Sequence, residues 1–513
     1  MNKTELACTP IVEIDNIHAK LRAGHKSGKL RSLEYRKYQL LQLAYLVKDN
    51  TKRFEEALKA DLGRPALESY FLEINPTIGD IKTAYKNVEK WSKPEKPPFN
   101  INFVAMRPVI YKDPKGVVLI ISPFNYPLWL SLPPVAGAIA AGNTVLLKPS
   151  ESSKAVSALF AELIPKYMDP DVVSVVNGAV AETTRLLELQ WDHIFYTGSG
   201  RVGKIVAAAA AKFLTPVTLE LGGKSPVIID PKCDLETAAR RILWGKVVNA
   251  GQTCVAPDYV LVPRSFQEEF VQALVSQYKQ FYPDGQVKDE QFAKLITPQA
   301  FKRVRALLAA TKGKVVIGGE TAEGKKYISP TIVAKMVHKR EIFGPVLPIV
   351  PVDDLDEAIA FINARDHPLA LYVFSKDESL KQKVFQNTAS GAAVANETLI
   401  QTGAEGLPFG GIGPSGYGAH TGKYSFDTFT HFRSSIDSPS WIDKILGFRF
   451  PPYTSKKLKS ADKAFGVTLP ARPTGPPSGS SKGSGKWYLL IFAALIAGVW
   501  TGKSTKKLTL SGH

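Results

Sequence analysis

From residue 117 to residue 219 the chain alternates short apolar strands with helical stretches, and this alternation constrains the fold more than any other feature. The strand segments are 117–121, 144–148, 172–176, 193–196 and 217–219. They are rich in Val, Ile and Leu and lack the in-and-out alternation of a half-exposed strand. Strands of that kind have both faces covered. Helices between them make successive strands parallel, so the expectation is an α/β protein with a doubly wound sheet. Ligands in such sheets bind beyond the C-terminal strand ends. A second α/β segment begins after Gly223. The 513 residues suffice for two or three domains. The fold expected is two doubly wound α/β domains with a cleft between them.

Gly198-Ser199-Gly200-Arg201-Val202-Gly203 fits the pattern GxGxxG. A strand precedes it and an Ala-rich helix follows, which is the context the pattern needs. Backbone N–H groups at a helix start can meet a pyrophosphate. Gly198, Ser199 and Gly203 are therefore candidates for dinucleotide binding, although a ligand-free strand–helix turn can carry the same letters. The dinucleotide rule seeks a ribose-binding acid about twenty residues further on, and Glu220 stands there. Glu220 also ends an apolar strand ahead of Gly222-Gly223, where a carboxylate can act as a base beside a pocket. The residues alone leave both roles open.

Asn249-Ala250-Gly251-Gln252-Thr253-Cys254 follows a helix expected over 235–248, with Asp234 as its N-cap and Gly251 as its stop. A strand is expected over 259–262. Cys254 sits at the junction, where a thiol can face substrate while both flanking elements hold it still. A lone cysteine is more often a small buried hydrophobe.

Glu220 in ELGGKSP, Cys254 in NAGQTC and Glu341 in EIFGPVLP occur in that order. Together they resemble the active-site signatures of the aldehyde dehydrogenase superfamily. The resemblance runs from about residue 15 to 440. FNYP, GQTCVAPDY and PFGGIGPSGYGAHTGKYSF are most similar to class 3 members, which include the membrane-anchored fatty aldehyde dehydrogenases. The resemblance implies that Cys254 is the nucleophile and Glu220 the base. Asn125, in Pro123-Phe124-Asn125-Tyr126-Pro127, would hold the oxyanion together with the Cys254 backbone N–H. Lys148 and Glu151, in the KPSE segment, would bind the adenine ribose. Glu341 would bind the nicotinamide ribose, and Phe343 would lie against the cofactor. A carboxylate at Glu151 repels a 2′-phosphate, so NAD is the cofactor expected, although class 3 members often accept NADP as well. Without the resemblance Asn125 reads as a turn residue, Lys148 and Glu151 as a solvated loop, and Glu341 as a surface acid.

The implied reaction oxidises an aldehyde to a carboxylate through a thiohemiacetal and a thioester on Cys254. Medium- and long-chain fatty aldehydes are the substrates expected, with aromatic aldehydes beside them. A free thiol has a pKa of about 8.5, so the surroundings of Cys254 are expected to aid its ionisation. One alternative is a CoA-acylating aldehyde dehydrogenase, but such enzymes generally lack the ELGG glutamate. An inactive membrane-tethered scaffold on the same fold is another, opposed by the joint presence of Asn125, Glu220, Cys254 and Glu341.

The formal net charge of +18 would suit a nucleic-acid partner. Its distribution argues otherwise. From Phe450 onward there are ten Lys and Arg against one acid, Asp462, so +9 of the excess lies in that stretch. It lacks the interleaved aromatics of a nucleic-acid groove, and none is expected as a partner. Three cysteines, Cys8, Cys233 and Cys254, form no disulfide framework. The eight histidines show no ligand spacing, and no metal is expected. The N-terminus lacks the apolar stretch of a signal peptide.

In chain order, residues 1–102 are expected as helices packing on the cofactor domain. One is amphipathic over 30–50, a second ends at Gly63-Arg64-Pro65, and a third runs to about Trp91. Segments 103–116 and 428–440 form an oligomerisation arm that, by the resemblance, pairs across a homodimer. Within it, 103–112 and 117–122 read as a strand pair joined by a turn at 113–116, with Pro at i+1 and Gly at i+3. Residues 117–220 are the NAD-binding domain and 221–427 the catalytic domain. Residues 451–486, rich in Pro, Gly, Ser and Lys, read as a flexible basic linker. Residues 487–502 carry no charge and read as a C-terminal transmembrane helix. Its length is about 24 Å against roughly 27 Å for a thin bilayer. Trp487, Tyr488 and Trp500 suit the interfaces. The enzyme would face the cytosol from the endoplasmic reticulum or the mitochondrial outer membrane, with the lipid droplet as a further location.

Overall fold

The computed structural model describes residues 5–284, 289–336 and 340–473. They divide into two units. One comprises the chain up to Pro98 together with Pro108–Ile436; the other comprises Phe99–Arg107 and the chain from Asp437 onward.

The larger unit is built on two large sheets. The first has six strands in the order Gly416–Tyr417, Val217–Glu220, His193–Thr197, Val117–Ile121, Thr144–Lys148 and Val173–Val175. All neighbours are parallel except Gly416–Tyr417, which runs antiparallel to Val217–Glu220. Val117–Ile121, Thr144–Lys148 and His193–Thr197 are buried at every residue. This explains why the sequence shows runs and no alternation there. The N-terminal helices Leu33–Asp49, Thr51–Leu62 and Asn75–Ser92 share one apolar core with Leu132–Ala141 and the sheet, through residues such as Leu40, Phe54, Ile81, Val135 and Phe160. Gly63, with φ of 61°, closes Thr51–Leu62 by donating to Lys59 O, as a left-handed C-terminal glycine does.

The second sheet has seven strands in the order Ala392–Ala395, Ala370–Phe374, Pro226–Ile229, Tyr259–Pro263, Val346–Val352, Thr331–Ala334 and Lys314–Ile317. Only the last pair is antiparallel. Helix Leu235–Val247 begins where Asp234 accepts the Thr237 N–H, as its N-cap position requires.

The arm differs from the expected strand pair. Val109–Pro114 pairs antiparallel with Thr430–Ser435, from Val109 opposite Ser435 to Pro114 opposite Thr430. It does not pair with Val117–Ile121, whose two edges are taken by Thr144–Lys148 and His193–Thr197. The turn at 113–116 therefore carries the chain from one sheet into another. The expected strand over 103–112 is also shortened at its start, since Val104–Met106 is a 3-10 turn and Arg107 is left-handed with φ of 47°.

The second unit corrects the start of the expected linker. Ser455–Phe465 is a helix, and Thr454 accepts the Lys457 N–H at its start. Lys, Leu and Ala are good helix formers, and the Pro- and Gly-rich flanks had obscured them. Within this unit the Phe465 ring meets those of Phe103 and Phe448 at centroid distances of 6.4 and 6.0 Å, and Met106, Ile442 and Leu446 form a small core. Among the described residues no helix is long and apolar enough to cross a membrane. The expected span at 487–502 and the linker from 474 to 486 lie outside the described residues.

Candidate active site

A cavity of about 960 Å³ opens beyond the first sheet. Ile121, Lys148, Thr197 and Glu220, the last residues of four parallel strands, all line it. That is where a doubly wound sheet places its ligand. Asn125, Glu151, Gly198, Ser199, Cys254, Glu341 and Phe343 line it as well. The fold thus gathers every candidate residue but one. Gly203 lies inside helix Gly200–Ala211 and faces Leu221, whose Cδ2 would meet an added Cβ at 2.9 Å. It permits close helix–sheet packing and does not border the cavity.

At one end Lys148 Nζ donates to the Glu151 carboxylate at 3.1 Å. The Lys148 side chain is buried, while that of Glu151 is 51% exposed. Ser199 and Arg201, at the start of Gly200–Ala211, border the same space. A Cβ on Gly198 would strike the Tyr196 hydroxyl, so only glycine leaves the chain free to pass there.

Cys254 follows a sharp change of direction. After Leu235–Val247, Asn249 and Ala250 both have φ of 52° and Gly251 has φ of 70°. Left-handed backbone is costly for residues with a Cβ and persists only where neighbours fix it. Here the Asn249 amide Nδ2 donates to Asn125 O at 2.9 Å and to Gln252 O at 3.1 Å. Asn125 Nδ2 also donates to Gln252 O, at 3.1 Å. The amide is thereby held beside the cysteine loop. Arg64, Asn249 and Gln252 were not singled out in the sequence. Asn249 and Gln252 stand in the NAGQTC segment, and for Arg64 the one signal is its place between the breakers Gly63 and Pro65.

The Cys254 thiol is partly exposed and pushed up to about 12, by burial first and then by the charges of Glu341 and Glu220. The expectation of a helpful environment is thus reversed for the protein's own groups, because burial first, and then the charges of two acids, oppose ionisation of the thiol. The thiol stays protonated at neutral pH unless a base takes its proton. Glu220 lines the same cavity and can take that proton in its ionised form. Both of its carboxylate oxygens are buried with no hydrogen-bond partner among the described residues. Burial alone raises its carboxyl well above the usual range. A cavity-lining acid perturbed in this way is a functional-site candidate.

Glu341 is pushed up to about 8 by burial and by Asp258, against the Gly223 N–H that it accepts and the charges of Lys246 and Lys224. Its segment is clamped. Ile342 N donates to Asp258 at 2.8 Å, Arg303 to Ile342 O at 2.6 Å, and Lys224 Nζ to Arg340 O at 3.1 Å. Phe343, with φ of 44°, packs edge-on to Phe124 at 5.9 Å.

These residues fit a dinucleotide. Carboxylates that can accept ribose hydroxyls stand at Glu151 and Glu341, glycines clear the chain between them, and an aromatic ring borders the second carboxylate. The unpartnered Glu220 oxygens lie in the same cavity as the thiol.

Residues 8–435 match the profile of the aldehyde dehydrogenase family. Rat aldehyde dehydrogenase family 3 member B1 is 45% identical over 445 residues, which cover 86% of this chain and 95% of the relative. The rat aldehyde dehydrogenase described as dimeric and NADP-preferring is 45% identical over 442 residues, 85% of this chain and 97% of that one. Among solved structures, substrate-bound AldH from Staphylococcus aureus matches with a TM-score of 0.85 at 40% identity, covering 88% of this chain and 99% of its own.

Proposed function

The chain belongs to the aldehyde dehydrogenase family, and on that premise we propose that it oxidises medium- and long-chain fatty aldehydes through an acyl-enzyme on Cys254, with NAD preferred. The coarser activity, NAD(P)-dependent aldehyde oxidation, follows from the family and its class 3 relatives. The six-stranded sheet is read as the cofactor domain and the seven-stranded sheet as the catalytic one.

The observation that carries the mechanism is the pairing, in one cavity, of a protonated thiol with a buried carboxyl that has no partner. In its ionised form Glu220 draws the proton from Cys254, and the sulfur adds to the aldehyde carbon. The resulting oxyanion is held by the free N–H of the Asn125 amide and by the Cys254 backbone N–H. NAD, when bound, would supply the hydride acceptor. Glu341 and Phe343 hold that end of the site, and Lys148 and Glu151 the other. Loss of the hydride from the thiohemiacetal to the acceptor would leave a thioester, and Glu220, once it has released its first proton to solvent, takes a proton from the water that attacks it. The C–S bond breaks, the carboxylate leaves and the thiol is restored.

The apolar lining at Phe124, Leu130, Leu369 and Phe409 supports an alkyl substrate. The uncharged run at 487–502, between basic stretches, supports a membrane anchor near such substrates. The arm of Val109–Pro114 and Thr430–Ser435 exposes Tyr111 and Phe432 and is read as the homodimer contact. The test is a series of aldehydes of increasing chain length with NAD and NADP, followed at the nicotinamide absorbance. kcat/KM should rise with chain length. A flat or falling series removes the fatty-aldehyde reading, and turnover only with CoA, releasing an acyl thioester, would replace the hydrolytic mechanism. A chain ending at Ser480 should lose membrane sedimentation.

A further inference from the structure

Three chain segments meet on one guanidinium. Arg64 is fully buried and ion-paired to Glu73, which is equally buried. It also donates to the backbone oxygen of Asn125 and, at 3.3 Å, to Asn249 Oδ1. It lies 4.8 Å from the ring centroid of Tyr126. Glu73 in turn accepts the Leu128 N–H at 2.6 Å. It sits in a π-helical turn, Tyr70–Ile74, a local widening that recurs at functional sites. The Tyr126 hydroxyl bonds to Thr253 Oγ1 at 2.9 Å, on the residue before Cys254.

We propose that Arg64 is a positioning residue for the oxyanion site: through Asn125 O and Asn249 it sets the Asn125 amide against the Cys254 backbone N–H. The proposal rests on the oxyanion role of Asn125 given above. A planar guanidinium can serve several acceptors in fixed directions, which an ammonium cannot. Asn125 and Cys254 come from different sheets' loops and share no direct backbone bond. Their spacing is therefore inherited from side-chain links, those of Arg64, Asn249 and Gln252 together with the Tyr126–Thr253 bond. Misplacing an oxyanion donor by about 1 Å can cost on the order of 100-fold in rate.

Removing either charge of a buried pair strands the other, so the test keeps the charge or leaves the pair alone. Arg64→Lys keeps the charge and loses the fork. Asn249→Gly suits the left-handed backbone and removes the amide that bonds to both Asn125 O and Gln252 O. The readout is the burst rate of NADH formation at saturating aldehyde and NAD, with NAD affinity from fluorescence and Tm as controls. Each variant should slow the burst by about 10- to 100-fold with NAD affinity unchanged. In an Asn125→Ala background each should slow it less than threefold, because the donor they position is gone. Burst rates within twofold of the parent for Asn249→Gly overturn the proposal, and so does a loss of equal size in the Asn125→Ala background. A normal burst in Asn125→Ala alone would instead refute the oxyanion reading beneath it. Should Arg64→Lys fail to fold, Asn249→Gly carries the same decision.

Discussion

The Glu341 carboxylate lies so close over Gly222 that a Cβ on that glycine would meet its two oxygens at 2.5 and 2.7 Å. The next residue, Gly223, donates its N–H to the same carboxylate. Two glycines thus seat one acid. Gly222 has no positive φ, so alanine there meets a steric obstacle without backbone strain. Gly222→Ala is expected to displace Glu341 and raise KM for NAD about tenfold, roughly 1.4 kcal/mol of lost binding, with little change in Tm. Glu341→Gln, measured beside it, should raise KM for NAD as well. An unchanged KM in both variants removes Glu341 from the cofactor site.

Asn125→Ala bears on the oxyanion directly. One N–H of its amide is spent on Gln252 O at 3.1 Å, and the residue borders the cavity. Loss of one oxyanion donor typically costs about 100- to 1,000-fold in kcat. The variant should show that loss with KM for NAD unchanged in steady-state assays. A kcat within about fivefold of the parent would assign Asn125 to loop structure alone.

Much of the fold was legible because burial on both faces writes itself into a strand as an unbroken apolar run. Val117–Ile121 and Thr144–Lys148 have the bounds that the sequence suggests. The partner of Val109–Pro114 was reachable only through the resemblance, which grouped 103–116 with 428–440; Thr430–Ser435 lies more than 300 residues away, and nothing local encodes the pairing. The helix Ser455–Phe465 was hidden by its Pro- and Gly-rich neighbours. At the site, the residue types were readable and their electrostatics were not. Only the fold shows that two acids press on Cys254, or that the Glu220 oxygens have no partner. Arg64 reaches Asn125 and Asn249 across 61 and 185 residues of chain, a linkage without a local signature.

His420 gives a prediction for acid stability. It is buried among Trp129, Phe195 and Phe409, and neither ring nitrogen has a hydrogen-bond partner among the described residues. Burial lowers its pKa from 6.5 to about 3. The unfolded chain therefore takes up a proton below pH 6.5 that the folded chain refuses until about pH 3. Stability from this group is complete above pH 6.5 and is lost progressively as the pH falls toward 3. His420→Phe should flatten the fall in unfolding free energy by up to about 1.4 kcal/mol per pH unit in that window. Denaturant melts of both proteins between pH 7 and 4 measure it. Parallel curves would mean that the folded protein protonates His420 without penalty.

Glu220→Gln separates two assignments of one residue. As a ribose ligand, Glu220 would influence KM for NAD and leave turnover intact at saturating cofactor. As the base, its loss should spare acylation more than hydrolysis. The acyl thioester on Cys254 would then accumulate, giving a burst of NADH and a slow steady state. Rapid mixing with a saturating aldehyde, followed by intact mass of the quenched enzyme, reads both. Stability supplies an independent check. The folded-state pKa of Glu220 is raised by burial, so the fold retains a proton that the unfolded chain releases above about pH 4.5. This costs stability as the pH rises from 4.5 through the folded pKa. Glutamine removes that cost, so Tm of the variant should exceed that of the parent, with a gap that widens as the pH rises from about 4.5 toward the folded pKa. A base kept unpartnered at the expense of stability predicts both results together: a more stable protein, stalled as its acyl-enzyme. Full turnover at high NAD with no adduct would return Glu220 to the ribose role that the glycine motif alone suggested.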